Sequence, residues 1–173
     1  MKKVSLIVVA AGASARMRQP GSHVRKPFLK LRGKPILFRA LEAFLGLKEI
    51  GEVCLAVHPD DLSLIREKLW GELARLGVSA IVAGGERRQD SVANALAACN
   101  DKYDYVAIHD AARPLVSRSS IKAVFASAFE HGAAILAVPV ADTVKKGTGG
   151  THGEPRGSGD ANWEQRGTGR NLP

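Results

Sequence analysis

A chain of 173 residues with 45% hydrophobic content has the size of one domain and enough apolar side chains for one core. Its formal charge of +8 admits three kinds of partner: nucleic acid, an anionic membrane or a small polyanion. Aromatics at 5%, with no basic run interleaved among them, exclude a base-stacking platform, and the longest apolar run near the N-terminus (residues 6–11) falls far short of the ~20 residues of a membrane span. That run, preceded only by Lys2 and Lys3, also makes no convincing signal peptide. A cytoplasmic protein is the expectation. Cys54 and Cys99 stand singly in apolar surroundings and read as small buried hydrophobes.

Along the chain, apolar runs alternate with helical patterns. Val4–Ala10 is a β-branched strand, and residues 36–45 carry apolar side chains at helical spacing behind Pro35. A second strand over 53–57 precedes a helix over 59–76, whose Leu62, Ile65, Leu69, Leu73 and Leu76 form one stripe. Next come a strand over 79–83, a helix over 90–98 and a strand over 105–108. A helix over 119–129 with Ser119 or Ser120 as N-cap leads to a fifth strand over 134–138. Such alternation predicts an α/β fold: a Rossmann-like three-layer sandwich with a mainly parallel sheet. Ligands of such sheets bind outside the carboxyl ends of the strands. Here four of the five strand exits carry glycines, cations or acids, and Arg16, Lys26, Arg87, Arg88 and Arg113 recur singly beside turns. The pattern favours a small phosphorylated ligand over nucleic acid or a membrane.

The composition changes after Lys146. Residues 147–173 hold 8 of the chain's 18 glycines, and little that is apolar beyond Trp163 and Leu172. Such a segment buries too little surface to offset the entropy of ordering, so the expectation is a domain over 1–146 and a disordered or loosely docked tail over 147–173.

Four stretches carry chemistry. In "AAGASARM", Ala10, Ala11, Gly12, Ala13 and Ser14 keep side chains small, so that backbone N–H groups approach a phosphate, and Arg16 adds a bidentate-capable charge. It matches neither a Walker A loop nor a G-x-G-x-x-G fingerprint, and an ordinary tight turn is the competing reading. In "RKPFLKLRGKPI", Lys26 sits on a loop beside that turn; a solvated lysine is the plain alternative. In "GGERRQDSV", Gly84 and Gly85 let the backbone lie against a base, while Glu86, Arg88 and Ser91 supply polar groups at a helix start that Asp90 or Ser91 also caps. In "IHDAARPLV", Asp110 follows a buried strand at the ligand edge, where a divalent metal or a ribose hydroxyl is held; His109 reads as a packed histidine and Arg113 as the partner of an acid.

Together with "PVADT", these motifs resemble the cytidylyltransferase family of the non-mevalonate isoprenoid pathway over residues 1 to about 145. The resemblance implies transfer of CMP from CTP to a methylerythritol phosphate, by in-line attack of the substrate phosphate on the α-phosphorus with release of pyrophosphate. It assigns Ala10, Ala11, Gly12 and Ala13 to the triphosphate, with Arg16 and Lys26 as the catalytic cations. Gly85, Glu86, Arg88 and Ser91 would select the pyrimidine. Asp110 and Ala111 would lie near the ribose and substrate, Thr143 at the methylerythritol phosphate, and Mg2+ on the triphosphate with Asp110 as its candidate ligand. The chain departs from the family pattern at Pro27, where glutamine is common, and beyond Lys146, where the family continues into a dimer arm and further substrate-binding cations. Two functional classes follow: a working cytidylyltransferase (with a ribitol- or glycerol-phosphate enzyme as variant), or a folded nucleotide-binding remnant.

Overall fold

The computed structural model describes residues 2–12 and 24–139. Ala13, Arg16, Thr143 and the segment after Lys146 lie outside the described residues. The chain divides into two units, Met1–Leu136 and Ala137–Pro173.

Strand β1 (Val4–Ala10) is the centre of the sheet because it is apolar on both faces, as a strand covered from both sides must be. It pairs in parallel with β4 (Ile50–Val57) and β6 (Tyr105–Asp110), and β5 (Ala80–Ala83) adds to the far side of β4. The order is β5-β4-β1-β6, so every strand points its C-terminal end to the same edge. The registers Ala10↔Val57, Val57↔Ala83 and Val9↔Asp110 bring the four exits level.

Alternation along β1 assigns the two layers. Leu6, Val8 and Ala10 pack with Leu37 and Leu41 of α1 (Ile36–Glu42), Leu73 of α3 (Trp70–Arg75) and Phe125 of α5 (Arg118–His131). Ile7 points the other way, onto Cys54, Ala56 and Ala95 of α4 (Arg88–Ala97). The sandwich expected from the alternation of elements is therefore the observed architecture. Among the described residues no helix is long and apolar enough to cross a membrane.

Several local expectations need correction. The helix over 59–76 is instead a 3₁₀ turn (Pro59–Asp61), a short α2 (Leu62–Leu64), a π-helical turn (Ile65–Leu69) and α3. Ile65 and Leu73 are nonetheless fully buried, so the apolar stripe survives the wider turn. A two-stranded hairpin, β2 (Lys30–Leu31) and β3 (Lys34–Pro35), stands where only a loop was expected. Its two-residue turn has Arg32 and Gly33 at φ 49° and 78°, the positive pair that matches strand twist in a tight hairpin. The N-cap of α5 is Ser117, whose hydroxyl accepts the Ser120 N–H at 3.0 Å, not Ser119 or Ser120.

Residues 134–138 form no strand. Ile135 is 87% exposed and Val138 83%. An apolar run becomes a strand only where a neighbour supplies the hydrogen-bond ladder, and among the described residues β6 is the sheet edge, with Val106 and Ile108 exposed.

Candidate functional site

Close packing joins the exits of β1, β4 and β5. A Cβ added at Gly84 would lie 2.1 Å from the Ala11 Cβ and 2.8 Å from the Ser91 Oγ. Only a residue without a side chain lets the loop after β5 settle against the end of β1, and the Gly84 N–H donates to the Val57 carbonyl at 2.7 Å. Gly85 is as constrained: its Cβ would meet the Asp90 Cβ at 2.4 Å. The paired glycines thus have a packing reason within the protein. Ala10 and Ala11 are buried beneath this contact, while Gly12 is exposed at the strand end.

The loop then turns into α4. Asp90, at the third helical position, accepts the Arg87 backbone N–H and side chain at 3.0–3.1 Å, which draws its carboxyl below the usual carboxylate range. Ser91, 2% exposed, accepts the Gly85 N–H at 3.0 Å and donates to the Arg87 carbonyl at 3.2 Å. Its hydroxyl is consumed in shaping the loop. Glu86 and Arg88 remain exposed beside it.

Across the edge, Asp110 ends β6 between two guanidiniums. Arg88 Nε and Nη2 reach its Oδ1 at 3.0 and 2.9 Å, and Arg113 Nε reaches Oδ2 at 3.2 Å. This bracket ties α4 to the β6 exit and leaves two cations poised over one carboxylate, an arrangement suited to holding an anion. Ala111 is fully buried in the main core, with its N–H donated to the Val9 carbonyl. His109 packs edge-on against Phe44, and its Nε2 lies 3.1 Å from the Arg113 carbonyl; desolvation holds its pKa down. An open groove of about 960 Å³ begins at Arg88, Asp110 and Arg113 and follows β6 and α5.

Lys26 opens the 3₁₀ turn Lys26–Phe28, anchored by buried Pro27. One residue earlier, Arg25 donates to Asp61 Oδ1 at 2.6 Å and to Asp60 Oδ2 at 2.7 Å, both just past the end of β4. Neither Arg25 nor Asp61 is among the site residues that the motifs of the family resemblance imply. Adjacent acids directly after a buried strand, at an edge rich in cations, were the available signal.

No group of three or more metal-ligating side chains gathers among the described residues. Magnesium nevertheless needs only one or two carboxylates when phosphates complete its shell. Asp110 fits that part: Arg88 takes Oδ1 and Arg113 takes one position on Oδ2, which leaves a lone pair on Oδ2.

Known proteins resemble this chain in sequence and in fold. The family model described as IspD, 2-C-methyl-D-erythritol 4-phosphate cytidylyltransferase, matches residues 4–152. The 2-C-methyl-D-erythritol 4-phosphate cytidylyltransferase of Solibacter usitatus is 40% identical over 86% of this chain and 62% of its own length. That of Pelotomaculum thermopropionicum is 43% identical over 84% of this chain and 60% of its own. The chain thus spans about three-fifths of the curated relatives it matches. Among solved structures, the 4-diphosphocytidyl-2C-methyl-D-erythritol synthase of Anaerococcus prevotii superposes with a TM-score of 0.59 at 26% identity, covering 73% of this chain and 50% of that one.

Proposed function

Because the chain belongs to the 2-C-methyl-D-erythritol 4-phosphate cytidylyltransferase family, we propose that it binds CTP at the carboxyl edge of its sheet and transfers CMP to 2-C-methyl-D-erythritol 4-phosphate, releasing pyrophosphate. The observation that carries this reading is the convergence there of the Ala11–Gly84 contact, the Ser91-shaped loop and the Arg88–Asp110–Arg113 bracket.

Phosphoryl-type transfer asks the protein for position and charge rather than covalent chemistry. The end of β1, from Ala10 to Ala13, receives the triphosphate, and Arg16 and Lys26 neutralise charge at the α-phosphorus as the substrate phosphate attacks. Gly85, Glu86 and Arg88 face the pyrimidine from a loop that Ser91 holds in shape. Asp110 orients the ribose and the acceptor, and Thr143 contacts the acceptor phosphate. Mg2+ bound to the triphosphate, with Asp110 as its protein ligand, would offset negative charge on the phosphate oxygens. The reading implies a compartment that supplies CTP, the cytoplasm.

A coupled pyrophosphate assay with the methylerythritol phosphate, Mg2+ and CTP, ATP or GTP tests the proposal. CTP should be preferred. Faster turnover with a purine triphosphate overturns the pyrimidine assignment, and CTP binding without pyrophosphate release confines this chain to nucleotide binding. In an active preparation, Lys26→Ala should lower turnover by ~10²–10³ with a much smaller change in CTP affinity. Near-normal turnover in that variant would remove Lys26 from the reaction.

A further inference from the structure

Arg25 links the turn that carries Lys26 to the loop after β4. Its carbonyl accepts the Phe28 N–H at 2.9 Å, closing the turn that carries Lys26. Its guanidinium leaves the turn and grips the opposite loop through Asp61 and Asp60. The Arg25 and Asp61 side chains are 10% and 11% exposed, against 71% for Asp60, so one arm of the grip is shielded from solvent. Among the described residues no hydrogen bond reaches Arg25 Nε or Asp61 Oδ2. A buried ion pair with unfilled positions gains little over an apolar pair of the same shape, and its attested use is to specify geometry.

The grip is fastened to the site's own frame. Asp61 donates its N–H to the His58 carbonyl at 2.9 Å, and the neighbouring Val57 carbonyl accepts the Gly84 N–H. Val57 is in register with Ala10. Arg25 therefore refers the Lys26 turn to the same strand ends that form the putting-together of the β1 and β5 exits. On the other flank, buried Pro27 and core-packed Phe28 hold the backbone. We infer that Arg25, through Asp61 and Asp60, is a positioning residue for Lys26, setting where its ammonium stands relative to the bound triphosphate. The inference rests on the proposed place of Lys26 at the phosphates.

Acetylation of Lys26 by limiting acetic anhydride, quantified by mass spectrometry with and without CTP and Mg2+, tests it alongside calorimetric CTP binding. In the unsubstituted chain CTP should slow labelling of Lys26. The double variant Arg25→Met with Asp61→Asn removes both charges, so neither is left buried alone. It should bind CTP within about twofold of the original affinity yet lose the protection of Lys26 by ~tenfold, and where turnover is measured kcat should fall ~10–10²-fold with KM for CTP nearly constant. Arg25→Lys keeps the charge but lacks the planar fork that spans two carboxylates, so it should restore protection in part; it also serves if the double variant does not fold. Full protection in a folded variant overturns the inference alone. An unsubstituted chain that fails to bind CTP, or binds it without shielding Lys26, overturns the assignment of Lys26 and the inference with it.

Discussion

Ser91 and His109 show how single side chains set this edge. With its hydroxyl removed, Ser91→Ala would leave the Gly85 N–H without its acceptor inside a packed loop. The expected cost is about 1–3 kcal/mol in urea unfolding, with weaker CTP binding in parallel. Unchanged stability and affinity would show that the loop holds its form without it. His109 carries a pH dependence. Desolvation against Phe44 depresses its folded pKa below the ordinary 6.5, so as pH falls the unfolded chain takes up the proton first. The stability contributed by neutral His109 is complete above 6.5 and is lost as pH drops through the lower folded value. Thermal melts between about pH 7.5 and about pH 5 should show this loss, and His109→Gln should flatten it. An equally steep profile in that variant would assign the dependence to other groups.

At the scale of elements, the loops depend on what they pack against. Gly84→Ala would drive a methyl into the Ala11 side chain and toward the Val57 carbonyl, 3.3 Å away, where backbone has little room to yield. Overpacking of this kind costs about 1–3 kcal/mol, and CTP affinity should fall with it because the β1 and β5 exits move apart. Wild-type melting and affinity would mean that the loop accommodates the methyl. The existence of β1, β4, β5, β6 and of the helices between them was legible because apolar runs alternate with helical spacing along the chain. The N-cap of α5 was misplaced by two or three residues since Ser117, Ser119 and Ser120 are chemically equivalent in sequence and differ only in backbone angles. Residues 134–138 have the composition of a strand but no ladder partner among the described residues, a condition that composition does not encode.

For the molecule as a whole, the second core layer offers a reporter of global opening. Cys54 of β4 lies fully buried on the sheet face that packs against α4, and burial together with nearby Cys99 pushes its pKa up to about 12. Only the thiolate reacts, so alkylation of Cys54 in the native state should proceed at the rate set by unfolding and accelerate in step with urea. Cys99, half-buried at the end of α4, should label first. Fast labelling of Cys54 without denaturant would show that α4 opens independently of the sheet.

The sequence by itself determined the α/β alternation, the family, and the collection of glycines, cations and acids at the strand exits, since all of these follow from local periodicity and short motifs. Only the tertiary structure decided which of those groups meet. Arg88 and Asp110 are 22 residues apart, Arg25 and Asp61 36, and Ala11 and Gly84 touch because β4 stands between β1 and β5. The same packing buries Ala111 and pairs its N–H with the Val9 carbonyl. Strand order and register fix these encounters, and they arise from contacts between distant segments, which no local pattern of residue types specifies.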